Sequence, residues 1–541
     1  MTTRPDAELL WRARYRDENP RPPEKEIADT WRRVARSVAS VEREPQLWSD
    51  RFYGILHDFR FLPGGRILAG AGSTRQVTLC NCFVMGVIED SLPGIFEALK
   101  EGAVTMQQGG GVGYDFSTLR PHGAQAVDSG SAASGPVSFL KVWDVACATL
   151  QSTGPRGGAM MATLRCDHPD IEAFIDAKRT PGALPHFTLS VLITDAFMDA
   201  VKHDLEWPLL FPEEGTCPLS EGESAYLKRT WSGSDKPASC RVWRITRARK
   251  LWERLCASAY ECAEPGVLFI DQINRENNLG YCETLCATNP CAEEPLPPYG
   301  ACNLGSLNLT AFVRDPFTPE ARIDDEALRA TARVAVRFLD DVIDLSRFPL
   351  VQQSEQAHRT RRLGLGVTGL ADALAMSGHR YDSDAARLLA ADLVKGIRNA
   401  AYEESLALAR EKGAFPAFLA EPYLRQPFIA RLPEDIRAGI RAHGLRNSHL
   451  LAIAPAGAIS RLAGNISTGI EPLVGPTEIA AHDQLLMQAA VQPYIDGSIS
   501  KTVTLPAGFP REALPEIFLE AYQLQVKGCT VFRAGSRPGV S

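Results

Sequence analysis

The strongest constraint on the fold of this chain is an alternation. From about residue 75 onward, short apolar runs recur between longer stretches of helical period. TLSVLIT, GVLFID and LLAIAP are too short for buried helices and read as strands, as does VTLCNCFVMGV, Val77 to Val87. Between them lie SLPGIFEALKEGAVTMQ, with Ser91 as a candidate N-cap, VSFLKVWDVACATLQ, TARVAVRFLDDVIDL and RLLAADLVKGIRNAAYEESLALAREKG, all apolar at helical spacing. Strands alternating with helices imply an α/β architecture with parallel strands. Ahead of them, Ile27, Trp31, Val34 and Val38, then Trp48, Phe52 and Leu56, mark helices between about residues 24 and 60. FLPGGRILAGAGS breaks that pattern with Pro and Gly. The expected organisation is a small helical domain over 1–74 and an α/β domain over 75–541, with a loop-rich insertion at 205–240.

Composition narrows the function. With 541 residues, 45% hydrophobic and 23% charged, the chain has the make-up of a soluble globular protein. The net charge of -7 and the lack of a basic cluster with interleaved aromatics argue against a nucleic-acid partner. A charged N-terminus and no apolar run near 20 residues argue against a secretion signal or membrane span, so a cytoplasmic location is expected. In a reducing compartment the 13 cysteines serve as buried thiols, metal ligands or redox groups rather than staples.

GxxxxGK[ST], HExxH, GxSxG and EF-hand patterns are absent. QQGGGVGYDF is Gly-rich but lacks dinucleotide-site spacing, and it reads as a tight segment where backbones approach closely. Cys282, Cys286 and Cys291 have no fourth ligand nearby, so no metal site is expected. In ATNPCAEE, Asn289, Cys291 and Glu293 occupy alternate positions and share a face if the segment is extended. A neighbouring Glu raises a thiol pKa and no His stands by as base, which disfavours a thiolate nucleophile. A neutral thiol beside a general base suits hydrogen-atom transfer. A buried strand Cys with incidental polar neighbours is the alternative for the triplet taken alone.

NPCAEEPLPPYGACNLGSLNL resembles the active-site finger loop of ribonucleotide reductases. TLCNCFVMGVIEDSL, GGGVGYDFSTLRPHG, ASGPVSFLKVWD, GPRGGAMMATLRCDHPDI, TRRLGLGVTGLADAL and APAGAISRLAGNISTGIEP resemble further blocks of that family, in family order, over roughly residues 60–535. The resemblance implies a ten-stranded α/β barrel of two five-stranded half-barrels, with the radical cysteine on a loop inside. It assigns Cys291 as the thiyl-radical residue, Glu293 as the base for the 3′-OH and Asn289 as the amide on the ribose. Cys82 and Cys302 become the reducing dithiol that forms a disulfide in turnover, with Cys80 as an alternative to Cys82. Pro455, Ala456, Gly457, Ala458, Ile459 and Ser460 match the substrate-phosphate loop. The family commonly has hydroxyl residues at positions 456 and 458, so binding here should lean on backbone N–H groups and Ser460. Ala133, Ser134 and Gly135 match a second substrate turn. Asp90, Ser91, Arg120 and Arg156 match the effector site and its relay loop.

Val531 and Phe532 stand where the oxygen-dependent class carries its tandem Tyr pair, and RAGSRPGVS is not a glycyl-radical motif. KGCTVFR resembles the ending of the adenosylcobalamin-dependent class, which makes adenosylcobalamin the expected cofactor. Expected partners are a ribonucleoside di- or triphosphate, dNTP effectors and a second copy in a homodimer. No ATP-cone domain and no C-terminal cysteine pair are recognisable. The expected reductant is therefore thioredoxin, a small dithiol or a separate redox polypeptide. The rival readings are an oxygen-dependent large subunit served by a metallo-subunit, and a catalytically silent nucleotide-binding paralogue.

Overall fold

In the computed structural model, which describes residues 5–19, 23–75, 77–125, 132–150, 158–212, 226–234, 236–473 and 478–536, the alternation closes into a ring. Five parallel strands form one half: Cys82–Val84, Gly111–Asp115, Met160–Arg165, Phe187–Ile193 and Gly266–Phe269. The other half runs through Ala301–Asn308, Leu363–Thr368, the segment 451–453, Thr502–Leu505 and Gly528–Arg533. Segment 451–453 joins its neighbours through the bridges Leu365 to Leu451 and Ile453 to Ile499, and the Gly497 N–H donates to the Leu451 carbonyl at 2.8 Å. The halves meet antiparallel at both seams, with Cys302 opposite Cys82 and Gly528 opposite Leu268. Ten staves in two sets of five therefore close a barrel, which leaves no exposed edge between them. Helices such as Leu92–Gln107, Pro136–Thr149 and Asp384–Lys412 cover the outside. With both faces covered, the strands read as continuous apolar runs, and Met160–Leu164 is buried throughout.

The helical domain does not stand apart. In Ile27–Ala39 the residues Trp31, Val34, Ala35 and Val38 are buried, and they join one core with helix Asp325–Leu345 of the second half-barrel. Phe338 on that helix meets Phe52 and Phe61 edge-on, at 5.2 and 5.4 Å between ring centroids. The same seam carries buried charge. Arg337 contacts both Glu42 oxygens at 2.7 Å and also reaches Glu411, while Lys412 bridges Glu42 and Asp341 at 2.8 and 2.6 Å.

Several local expectations hold. Ser91 caps helix Leu92–Gln107 through a 3.1 Å bond from the Gly94 N–H. The Gly-rich stretch leads into strand Gly111–Asp115, and a Cβ on Gly113 would lie 1.8 Å from the Thr288 carbonyl oxygen. Others need correction. Val77–Val87 is strand only over Cys82–Val84, because its parallel neighbour begins only at Gly111, opposite Cys82. Gly65–Gly70, inside the stretch that appeared to break helix, is itself a short helix. Within and just beyond region 205–240, the described residues Glu206–Pro212, Tyr226–Thr230 and Pro237–Arg247 form an antiparallel sheet with the longest strand in the middle. Many of its exposed positions carry polar residues, among them Lys228, Arg241 and Arg244, which hid the strands from a search for apolar runs. Among the described residues no helix is long and apolar enough to cross a membrane.

Candidate active site

ATNPCAEE forms the tip of a hairpin inside the barrel. Ala287–Thr288 pairs antiparallel with Pro295–Leu296, and the residues between turn rather than extend, with Ala292 at φ 66°. The shared-face argument for an extended strand therefore fails. The turn still gathers the same side chains by another route. The Glu294 N–H donates to Asn289 Oδ1 at 2.9 Å, which fixes the amide, and Asn289 Nδ2 donates to Cys82 Sγ at 3.1 Å. The Cys82 thiol lies 3.8 Å from Glu293 Oε1. The bare backbone of Gly113 lets the finger's base lie against the barrel strand.

Cys82 and Cys302 sit directly opposite each other where the half-barrels meet antiparallel. Such neighbours have Cα atoms about 4.5–5.5 Å apart, within disulfide range. Cys80, the alternative, belongs to the apolar cluster between barrel and helices and approaches Ser346 at 3.7 Å. The inner cluster holds Cys82 and Cys302. Geometry thus separates two cysteines that sequence spacing could not.

Burial is the main cause that pushes the Cys82 thiol well above its ordinary pKa, and Glu293 and Glu294 add to it. The same holds for Cys302, with Glu294 as the neighbouring charge. Both remain neutral thiols at physiological pH, so the carboxylate effect expected around the finger falls on the dithiol pair. Cys302 Sγ donates to Glu294 Oε1 at 3.1 Å. Burial first, then Glu293, raises the Glu294 carboxyl well above the usual range. Glu294 was not anticipated, and its only sequence signal is the doubled acid next to the triplet.

Cys291 is exposed within the barrel and lines two cavities. One, about 1100 Å³ including its mouth, is walled by Asn81, Cys82, Asn289, Glu293, Gly109–Gly111 and Ala454–Ile459. It is roomy enough for a nucleotide. The other, about 730 Å³, is walled by Thr188, Ser190, Val267, Leu268, Ser500 and Thr530, among others. Lys501 on that wall is neutralised by Glu471 at 2.5 Å.

The remaining expected residues divide. Pro455 to Ile459 line the first cavity, with Ala456 in the left-handed region at φ 45°. Ser460 does not: its buried hydroxyl is 2.7 Å from Thr368 Oγ1. Ala133, Ser134 and Gly135 also lie outside that cavity's lining. Ala133 pairs with Gly123 and Ala124, and Gly135 precedes helix Pro136–Thr149. Asp90 and Arg120 bind each other at 2.7 Å beside the Ser91 cap. Arg156 lies outside the described residues. Among the described residues no three His, Cys, Asp or Glu side chains form a metal-holding group.

A closed barrel with a cysteine-tipped hairpin inside and a facing cysteine pair on its wall is a distinctive arrangement, and the family comparisons agree with it. The ribonucleotide reductase barrel-domain model matches residues 80–479 and 475–532, and the all-alpha-domain model matches 6–76. The chain belongs to the ribonucleotide reductase family. It is similar to the vitamin B12-dependent ribonucleoside-diphosphate reductase of Mycobacterium tuberculosis (strain CDC 1551 / Oshkosh), with 38% identity over 98% of this chain and 80% of that protein. The protein of the same name from Thermoplasma acidophilum is 32% identical over 90% of this chain and 65% of its own length. The Monkeypox virus ribonucleoside-diphosphate reductase large subunit is 29% identical over 78% of this chain and 56% of its own length.

Proposed function

We propose that this chain reduces ribonucleotides to 2′-deoxyribonucleotides by thiyl-radical chemistry at Cys291, with adenosylcobalamin as radical source. The observation that carries this reading is the place of Cys291, in a wall common to two cavities, one of which also holds Asn289, Glu293 and Cys82.

In the first cavity Asn289 holds the ribose, the Cys291 sulfur takes the 3′ hydrogen atom and Glu293 accepts the 3′-OH proton. The 2′-OH leaves as water. Cys82 and Cys302 together give two electrons and two protons and join as a disulfide, and Cys291 returns a hydrogen atom to C3′. Ribonucleotide and dithiol thus become deoxyribonucleotide, water and disulfide. The neutrality of both thiols before turnover suits them to deliver hydrogen.

The second cavity fits the adenosyl group. It is uncharged apart from the paired Lys501, and Gly266 stays bare beside the Thr530 and Ser190 hydroxyls, where a Cβ would approach Thr530 Oγ1 to 2.8 Å. Thr188, Ser190, Ser500 and Thr530 would hold it. When bound, adenosylcobalamin supplies a hydrogen-abstracting radical by homolysis of its cobalt–carbon bond. The names of the relatives, vitamin B12-dependent ribonucleoside-diphosphate reductases, support this choice.

The same reading takes ribonucleoside diphosphates as substrates, in line with the relatives' names. It assigns dNTP effectors to the neighbourhood of Asp90, Ser91, Arg120 and Arg156, a homodimer as the assembly and the cytoplasm as the location. An external dithiol reduces the Cys82–Cys302 bond, with Cys82 reachable from the substrate cavity. The test is deoxynucleotide formation from the purified chain with adenosylcobalamin, a dithiol and ribonucleotides, without a metallo-subunit. Product is expected. No product, or full activity in Cys291→Ala, overturns the reading.

A further inference from the structure

The phosphate end of the proposed substrate cavity offers an anion little. Ala456 and Ala458 bring no hydroxyl, Ser460 is bonded to Thr368, and helix Gly457–Leu462 is only 6 residues long. A nucleoside di- or triphosphate nevertheless brings two or more negative charges. Among the described residues lining this cavity only Arg14 and Arg66 are cationic, and only Glu293, on the finger loop, is acidic.

Both arginines come from the helical domain rather than from the barrel. Arg14 ends helix Pro5–Arg14, which packs against helix Gly457–Leu462 and so places Arg14 beside the phosphate loop. Its carbonyl accepts a 3.0 Å bond from Arg75, which fixes its backbone. Its neighbours Arg12 and Arg16 engage Glu8 and the Glu24 carbonyl, whereas Arg14 forms no ion pair with a described residue. The Arg66 guanidinium lies over Gly109, where a Cβ would stand 2.8 Å from its Cζ, at a backbone φ of 94°. One contact sets both: Tyr15, next to Arg14, is buried with its hydroxyl against Gly65, next to Arg66, where a Cβ would stand 3.3 Å from it.

We propose that Arg14 and Arg66 are the cationic grip on the substrate's phosphates and make the helical domain part of the substrate site. The inference deepens the ribonucleotide reading and rests on it. A guanidinium on a phosphate is a charge-assisted, often bidentate contact that ground and transition states share, so it lowers KM rather than raising kcat. The grip selects di- or triphosphates over nucleosides and weakens with salt.

The test measures steady-state kinetics and equilibrium binding of ADP and ATP to the full chain and to Arg14→Ala, Arg14→Lys and Arg66→Ala. Each Ala variant should raise KM and Kd about tenfold or more, with kcat within about twofold. Arg14→Lys should recover part of the loss, and adenosine, without phosphates, should bind all forms alike. An Arg14→Ala protein with wild-type thermal unfolding and unchanged Kd for ADP overturns the grip. If the folding of Arg14→Ala is impaired, Arg14→Gln, which keeps the aliphatic stem, decides by the same Kd comparison. Failure of the wild type to form product overturns the reaction instead, and the binding comparison still decides the grip.

Discussion

Two places in this molecule bury acids in pairs, and they solve the cost in opposite ways. At the seam between helical domain and barrel, Glu42 and Asp341 face Arg337 and Lys412, and the Arg337 guanidinium also stacks on Trp48 at 3.8 Å. Around the finger loop, Glu293 and Glu294 face two thiols and an amide. Burial is the largest influence on Glu42 and pushes its pKa up, yet Arg337, Asp341 and Lys412 hold it at about 2. At Glu294 burial prevails and the carboxyl rises. At the seam Glu42 is ionised against Arg337 and Lys412 while burial raises its neighbour Asp341, and the cations there fix structure. At the finger, acids placed against neutral thiols leave groups ready to exchange protons. Buried charge that is paired serves architecture, and buried charge set against thiols marks chemistry.

The sharpest way to break this contrast is to remove one group from each place. Cys291→Ala should abolish deoxynucleotide formation while the unfolding midpoint stays at the wild-type value. Glu293→Gln should lower kcat by about 10²–10⁴-fold. It should leave stability unchanged or raised, because a neutral amide costs less to bury than a carboxylate. Wild-type turnover in Glu293→Gln would merge the two clusters into one structural class. Glu42→Ala should do the reverse, with a stability loss of about 1–3 kcal/mol in denaturant unfolding, because Arg337 and Lys412 lose a shared carboxylate but keep Glu411 and Asp341.

Smaller effects sharpen the same line. The depressed pKa of Glu42 makes its stabilising share complete above about pH 4.3, and it is lost as pH falls towards about 2. Asp341 is pushed up to about 8, mainly by burial, so the stability from its protonated form is full below about pH 3.9 and is lost as pH rises from there through about 8. Unfolding midpoints measured across pH should fall on both sides, and Glu42→Gln should flatten the acid limb. Smallest in energy is thiol reactivity. Iodoacetamide at pH 8 should modify exposed Cys282 and Cys291 at least about tenfold faster than buried, neutral Cys82 and Cys302. Peptide mass spectrometry reads this order directly.

What could be read from the chain in advance follows from which signals are local. Alternating strand and helix periods implied the parallel α/β core, and the finger triplet with Cys82 and Cys302 stands out as residue types in blocks. The choice between Cys80 and Cys82 was not local. It depends on which residue first finds Gly111 and Cys302 across the barrel. That the Ser460 hydroxyl meets Thr368 could not be read locally, because the contact spans 92 residues. Glu294 was hidden by lying next to Glu293, and Arg14 by belonging to a helix whose docking on the phosphate loop no periodicity reveals. The sheet within 205–240 was missed because its edge strand Tyr226–Thr230 has no buried residue to mark an inner face.

The stave at 451–453 has a consequence of its own. It has one bridge to each neighbour, and the Asp496 carboxylate fastens it by accepting from the Leu450 and Leu451 N–H groups at 2.9 and 2.8 Å, before it runs straight into the loop at Ala454–Ile459. The loop that walls the first cavity therefore hangs from a hoop pinned by a buried side chain rather than by a full ladder. A bound nucleotide that immobilises the loop also tightens the hoop, and slowed amide exchange at Ala452 and Ile453 would record it.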